Sequence, residues 1–414
     1  MADESFRFLH ASDFHLERPL TDLDDLPDSL RDTILQAPRS AVSSLVDAAM
    51  SEDVDFVILS GDLLQPQSAG PYGISLLLEG FDCLREAGKH VYWAAGIVDD
   101  EDLWPTAINL PENVIVFPKT QAQSITTRRA EQPLCRIVGR SCDGNAAVDV
   151  PSFKVDFSNL FTIGVAYGQV TAETLSECQF NYWALGGSHQ RSIYEHPSGW
   201  VAAYCGTPQG RSLDEVGEHG FQIVEVDGDR SIRVQHRNVD SCCYCRVALN
   251  EQEIVSMGGI ENLIGDKIYR LQNEHGSQHL LIAWELELSD PEKLGAMKDL
   301  EHVLDWARRE YGAGEPAAWS LSLTLRSPDL YPKAWCEEET ILGDFLRASA
   351  KYQNVESRSI DLRPMLTQSP PLHAAVTSRL TELSESELRD ALQNATRVGV
   401  EWLRGGAADG RQLG

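Results

Sequence analysis

Long apolar runs are missing from this sequence. No stretch approaches the roughly 18 residues that would span a bilayer, and the acidic opening Met1-Ala2-Asp3-Glu4-Ser5 leads straight into a strand-like segment. Neither a membrane anchor nor an export leader is therefore expected. Basic residues are also scarce: 35 Lys and Arg stand against 63 Asp and Glu, a formal charge of −28. Affinity for a polyanion comes mainly from Lys and Arg contacts to phosphate, so this balance argues against simple nucleic-acid binding and demands a local basic patch, a metal or a basic partner. There is no P-loop and no Gly-x-Ser-x-Gly elbow, which removes nucleoside-triphosphatase and serine-hydrolase readings. Nine cysteines form an odd set without a repeating framework, which suits free thiols in a reducing, cytoplasmic setting better than disulfides. No internal repeat is present.

What remains is enough for more than one core. A length of 414 residues exceeds what a single hydrophobic core usually serves, and 42% apolar with 24% charged residues is a globular balance. In the first half, short apolar runs at Phe6 to His10, Val54 to Ser60, Val91 to Ala95 and Val114 to Phe117 alternate with helical spacing over 39–50 and 74–87. Strand-like segments then dominate from Leu134 through Phe161 to Val165, Trp183 to Leu185, Trp200 to Tyr204, Phe221 to Val226 and Ile232 to His236. This rhythm predicts an α/β fold of two packed sheets flanked by helices.

After about residue 245 the pattern resets. Leu280 to Leu288 reads as a strand with Trp284, Leu286 and Leu288 on one face and Glu285 and Glu287 on the other. Asp290 and Pro291 then open a helix striped by Leu294, Met297, Leu304, Ala307 and Tyr311, and Trp319, Leu321, Leu323 and Leu325 alternate as a second strand. A small α/β domain follows over 245–363. Pro364, Ser369, Pro370 and Pro371 mark a linker, and Ser384 with Glu387 caps a helical end piece striped by Leu388, Leu392, Ala395, Val398 and Trp402. The expected division is 1–240, 245–363, 364–404 and a disordered tail at 405–414.

The chemistry-bearing residues sit at strand ends. Asp13-Phe14-His15 follows the first strand, Gly61-Asp62 ends the second, and Gly186-Gly187-Ser188-His189 ends the strand near Leu185. Two carboxylates and two imidazoles from three strand ends suit manganese, iron or zinc. His10 lies within a strand and reads as a core histidine, and Trp93, Trp183, Trp284 and Trp319 read as core. Cys242 and Cys245, with Cys243 between them, form one Cys-x-x-Cys without a second pair at usable spacing, so free thiols are favoured over a zinc site. The acidic run Asp22, Asp24, Asp25 and Asp28 lacks the Gly and distal Glu of an EF-hand and reads as a solvated loop. Arg191 and Arg211 flank the motifs and offer either a phosphate contact or a surface salt bridge.

In combination, Phe8-Leu9-His10-Ala11-Ser12-Asp13-Phe14-His15-Leu16, Ser60-Gly61-Asp62-Leu63, Trp183-Ala184-Leu185-Gly186 with His189, and Tyr204-Cys205-Gly206-Thr207-Pro208-Gln209-Gly210-Arg211 resemble the calcineurin-like metallophosphoesterases. Within them the chain resembles the SbcD-type DNA-repair exonuclease subunits and their bacterial relatives. The resemblance covers Phe6 to about Val239, and the segment near 280–353 looks like the family's capping domain. It implies a four-layer sandwich and a manganese-dependent phosphodiesterase acting on DNA ends beside an SbcC-like ATPase, with a homodimer also admitted.

It also implies two metals, and here the sequence departs. Asp13, His15, Asp62 and His189 match the whole first-metal set. The family's Gly-Asn-His-Asp segment reads Gly96-Ile97-Val98-Asp99, its His-Gly reads Tyr167-Gly168, and the first His of its Gly-His-x-His reads Gly187. The resemblance thus implies one retained cation, with Val98 standing at the catalytic histidine position. Three outcomes follow: a degenerate member with weak or absent nuclease activity and a binding or scaffolding role, a working one-metal phosphodiesterase with Asp99 or Arg191 in altered roles, or a structural protein with no metal at all. Asp99, Asp100 and Glu101 are the residues that could supply oxygen ligands to a displaced second ion.

Overall fold

A computed structural model describes residues 4–287, 300–326 and 333–353, apart from 24, 106, 107, 146 and 157, together with 392, 395, 396, 399, 400, 402 and 403. The chain divides into two compact units, 1–285 with 299–324, and 286–298 with 325–414. Among the described residues no helix is long and apolar enough to cross a membrane.

In chain order the strands and helices of the first sheet region are β1 (Phe6–Ala11), α1 (Asp28–Ser51), β2 (Phe56–Leu59), α2 (Pro66–Glu86), β3 (His90–Trp93) and β4 (Val114–Val116). Then come β5 (Gln123–Arg129), β6 (Gln132–Gly139), β7 (Thr162–Tyr167), α3 (Ala172–Leu175), β8 (Tyr182–Gly186), β9 (Ser192–Glu195), β10 (Val201–Tyr204), β11 (Gly220–Val226) and β12 (Ile232–Asn238). One six-stranded sheet has the order β12-β11-β1-β2-β3-β4 and the other β5-β6-β7-β8-β10-β9. In the first, β1 to β4 are parallel, β11 pairs antiparallel with β1, and β12 pairs antiparallel with β11. In the second, β6, β7, β8 and β10 are parallel, with β5 and β9 antiparallel at the edges.

The strands are short and apolar because most are covered on both faces. Phe8, Phe56, Ile58 and Tyr92 of the first sheet meet Ile137, Ile163, Tyr182 and Ala203 of the second in one core. On the outer face of the first sheet, Leu9, Val57, Leu59 and Trp93 pack on Ala41, Val42, Leu45, Leu77 and Phe81 of α1 and α2. On the outer face of the second, Trp183, Val138 and Ala202 pack on Val150, Phe153, Leu175 and Phe180. The result is a mixed α/β body of two large sheets flanked by helices, as the alternation of strand and helix signals predicts. Parallel strands on both sides bring the carboxyl ends of β1, β2, β3, β7 and β8 to one edge, where sites on α/β folds are built.

Several elements differ from the sequence reading. The helix expected at 39–50 is the C-terminal half of a 24-residue helix that runs through Pro38. The helix expected at 74–87 starts at Pro66 but breaks at Gly70, whose φ is 64°, just before Pro71. β5 and β9 carry too few apolar residues to signal a strand, whereas β6 matches the strand read from Leu134; β9 is exposed along its whole length.

A third sheet in the first unit has the order β13-β14-β15, from β13 (Cys242–Asn250), β14 (His279–Glu287) and β15 (Ala318–Arg326). Between them lie α4 (Glu251–Ser256), α5 (Ile260–His275) and α6 (Leu300–Tyr311). The expected alternation along β14 does not hold. Leu280 to Leu286 are buried without interruption and Glu285 is 8% exposed, because this central strand is covered on both faces. All four tryptophans assigned to the core are buried. In the second unit, α7 (Lys333–Glu337) and α8 (Ile341–Gln353) pack together. Ser349 of α8 bonds the Thr396 hydroxyl, and Gly399 lies so close to Phe345 that a Cβ would come within 2.3 Å of its ring. The helix start at Asp290 and Pro291, the linker at 364–371, the Ser384/Glu387 capping box and the tail lie outside the described residues.

Candidate metal centre

Three of the proposed ligand residues stand in backbone conformations that side chains with a Cβ rarely adopt. Asp13, His15 and Asp62 have φ of 56°, 41° and 53°, and each such left-handed residue costs about 1–3 kcal/mol. The two loops hold one another there: the Asp13 amide donates to the Gly61 carbonyl at 2.9 Å and the His15 amide to the Asp62 carbonyl at 3.0 Å. Gly186 completes the approach from the second sheet, since a Cβ on it would lie 1.7 Å from the Ser60 carbonyl oxygen. Strain concentrated at strand tips is what a preorganised site requires.

Asp13, His15 and His189 bring one donor atom each to within 4.8 Å of one another, and the two imidazole rings lie edge to face at 5.1 Å. Asp13 and His15 are buried, with 0% and 1% exposure, while His189 is partly open to solvent. The His15 Nδ1 faces the Glu17 carboxylate at 3.2 Å and the His189 Nδ1 faces Glu215 at 2.6 Å. A carboxylate can only accept, so each Nδ1 carries a proton and each ring is turned with its Nε2 away from that carboxylate. The buried His15 Nε2 has no hydrogen-bond partner.

Electrostatics follow from this packing. Burial, reinforced by Asp62, holds the Asp13 carboxyl well above the ordinary carboxylate range, so its anion needs a cation beside it. Burial lowers the His15 imidazole and favours the neutral form that ligates metals. Burial would raise Glu215, but His189 and Arg211 outweigh it and bring it down to about 2. Glu17 is likewise lowered, His15 and the Gln65 amide outweighing burial. An orphaned imidazole nitrogen, a buried carboxylate and two oriented imidazoles fit one divalent cation.

The adjoining half is closed. Asp62 lies outside the trio, although its Oδ2 is 3.5 Å from the His15 Nε2. Its Oδ1 accepts the Ile97 amide at 2.8 Å and the Val98 amide at 3.0 Å, and its Oδ2 accepts the Tyr167 hydroxyl at 2.5 Å. Burial and the neighbouring Asp62 raise the Tyr167 phenol, so it stays a neutral donor. Its ring fills the space beside Gly61 and Gly187, where added Cβ atoms would meet it at 2.6 and 3.1 Å. Ile97, Val98 and Gly187 offer no side-chain donor, so these residues do not fit a second ion.

Asp99 and Asp100 do not turn toward that space. The Asp99 carboxyl accepts the Gly96 amide at 2.5 Å and the Leu63 amide at 2.9 Å, and burial with Asp62 nearby raises it to about 7. Asp100 is engaged by Lys119 at 3.0 Å. Of the two arginines, Arg191 is exposed beside the site. Arg211 is neither a surface salt bridge nor a free phosphate arm: it is 6% exposed, with Nη2 on the Glu215 Oε1 at 3.0 Å and its amide on Oε2 at 2.9 Å. It positions Glu215, which positions His189. Glu17 and Glu215 were missed by the sequence reading, because a carboxylate two residues from His15 or four from Arg211 has no spacing signal of its own. His10 is a satisfied core histidine, bonded to Ser60 at 2.9 Å and Tyr182 at 3.2 Å, and burial lowers it to about 3. In the acidic run, Asp22 accepts the Leu213 amide at 3.0 Å.

No family model matches the chain. The chain is similar to an uncharacterized metallophosphoesterase of Bacillus subtilis, YhaO, 27% identical over 335 residues that cover 76% of this chain and 80% of that protein. Among solved structures it is similar to a dimetal phosphatase from Danio rerio, at 12% identity and a TM-score of 0.35, covering 56% of this chain and 99% of that one. The bacterial relative supports placement in the metallophosphoesterase superfamily.

Proposed function

We propose that the chain is an impaired SbcD-like metallophosphoesterase that holds a single cation, manganese, on Asp13, His15, His189 and the near edge of Asp62. Its phosphodiester hydrolysis is weak or absent, and its role is binding or scaffolding in a DNA-repair complex. The observation that carries this reading is the Tyr167 hydroxyl on Asp62, with the phenol ring in the space a second cation would need. A bound cation would polarise a phosphoryl oxygen or water. The residues themselves bind that ion, orient it through Glu17 and Glu215, and leave position 98 without a proton donor. A missing general acid alone costs about 10²–10⁴-fold in rate.

With a charge of −28, contact with DNA ends runs through a basic patch or a basic partner, for which an SbcC-like ATPase subunit is the candidate. Self-association as a homodimer and a cytoplasmic location belong to the same reading, as does a capping role for 245–363. The test uses purified full-length chain, manganese and a linear duplex. Manganese binding with no turnover, or with turnover that Asp62→Ala leaves unchanged, is the expected result. Turnover that Asp62→Ala abolishes would instead establish a one-metal phosphodiesterase.

A further inference from the structure

The Cys-x-x-Cys spacing of residues 242 and 245 pairs the wrong sulfurs. In an extended strand, side chains three apart point to opposite faces and those two apart share one. Cys242 and Tyr244 enter the core with Leu281 and Trp319. Cys243 and Cys245 face the other way, with their Sγ atoms 4.0 Å apart. His275, in the last turn of α5, comes to the same place: one donor atom from each of Cys243, Cys245 and His275 lies within 4.8 Å of the others.

We propose that Cys243, Cys245 and His275 form a second metal site, separate from the strand-tip centre, for a thiophilic divalent cation of the zinc type. Three observations on these residues converge. First, two thiolates at about 2.3 Å from a tetrahedral zinc ion stand about 3.8 Å apart, which the observed 4.0 Å nearly meets. A disulfide fits less well, because residues two apart in a strand have Cα atoms separated by about 6.6–6.8 Å, at the limit of what that bond spans. Second, the His275 Nδ1 is enclosed on a side chain only 10% exposed and meets the Cys245 thiol rather than a backbone group. Third, the ion would sit at the C-terminus of α5, where the helix dipole favours positive charge.

The fourth position faces Glu218, whose carboxylate is 4.0 Å from the His275 Nδ1 and whose side chain is 38% exposed. That half-open carboxylate gives an ion its route in and supplies the last oxygen ligand, directly or through water. Cys243 now donates its thiol proton to the Gly217 carbonyl at 3.2 Å. Metal binding would release that proton and the Cys245 proton to solvent. The site would tie β13 and α5 to the loop that carries Glu215.

Cobalt substitution reads this site apart from the oxygen-and-nitrogen centre, because only thiolate ligands give a sulfur-to-cobalt charge-transfer band. Reduced full-length chain titrated with cobalt should develop that band, saturating at one thiolate-bound ion per chain, and zinc should displace it. Cys243→Ser and Cys245→Ser should abolish it. His275→Ala should weaken zinc binding more than the 10–100-fold that loss of an outer-shell partner costs. Cys242→Ser, on the opposite face of the same strand, should keep the band, and so should Asp13→Asn. No band in the folded wild-type chain, or a band that survives in the His275→Ala and Cys243→Ser variants, would overturn the proposal. So would a mass showing a Cys243–Cys245 disulfide as the resting state in the absence of reductant.

Discussion

The two halves of the strand-tip cluster are built from the same loops and end in opposite states. Around Asp13, His15 and His189 two imidazoles converge on a buried carboxyl that accepts the Ser12 hydroxyl and the Gly187 amide and is still pushed up by burial, and the His15 Nε2 has nothing to bond. Around Asp62 two amides sit on Oδ1 and a phenol on Oδ2, and only the Oδ2 edge that lies 3.5 Å from the His15 Nε2 remains for the cation. Equal burial therefore does not mean equal readiness for a cation. What decides is what stands beside the carboxylate: two imidazoles at Asp13, a phenol ring at Asp62.

The largest effect should come from erasing the difference. The combined variant Ile97→Asn, Val98→His, Tyr167→His and Gly187→His restores the donors that the family resemblance implies. It should bind a second manganese and raise hydrolysis of a linear duplex by about 10²–10⁴-fold, the range of a recovered general acid. Gly187 has a φ of 89°, so the triple variant without Gly187→His is the companion that separates strain from chemistry. No gain in bound metal from either would mean that the closed half is shut by more than Tyr167.

Next in size is the open half. Asp13→Asn or His189→Ala should reduce manganese affinity by more than about 100-fold, beyond the cost of losing an outer-shell partner. Glu215→Gln, which leaves every proposed ligand in place, should cost about 10–100-fold, read by calorimetric titration. The same residue gives a pH signature. Its folded value of about 2 lies below its ordinary 4.5, so its share of stability is present above 4.5 and lost as pH falls toward 2. The stability gap between wild type and Glu215→Gln should therefore shrink over that interval, measured by urea unfolding. A gap that stays constant down to pH 2 would show that Glu215 is not ion-paired.

The smallest effect sharpens the closed half. Tyr167→Phe keeps the ring and removes the hydroxyl donated to Asp62 at 2.5 Å. It should destabilise the fold by about 1.5–3 kcal/mol, the value of a hydrogen bond to a charged group. An unchanged unfolding midpoint would show that the phenol is filler rather than a partner for Asp62.

Much of this was legible in the sequence, for identifiable reasons. Apolar runs such as Phe56–Leu59 and Tyr182–Gly186 are covered on both faces, so their composition announced the two sheets. Asp13, His15, Asp62 and His189 were legible because each follows such a run directly. What periodicity could not reveal was the geometry of contact. Tyr167 and Asp62 are 105 residues apart in sequence, and no spacing rule links a phenol to a carboxylate across two sheets. Glu215 lies in an acidic protein where one more carboxylate carries no signal. Cys243 and Cys245 were mispaired because their run, Cys-Cys-Tyr-Cys, is apolar throughout and hides the two-residue period of its strand.

One cation at the strand tips, rather than two, is a countable proposal. Metal analysis of the chain loaded with manganese and freed of excess by gel filtration tests it directly. The account predicts one manganese per chain, lost in Asp13→Asn and retained in Tyr167→Phe. Two manganese ions per wild-type chain, or none, would contradict it.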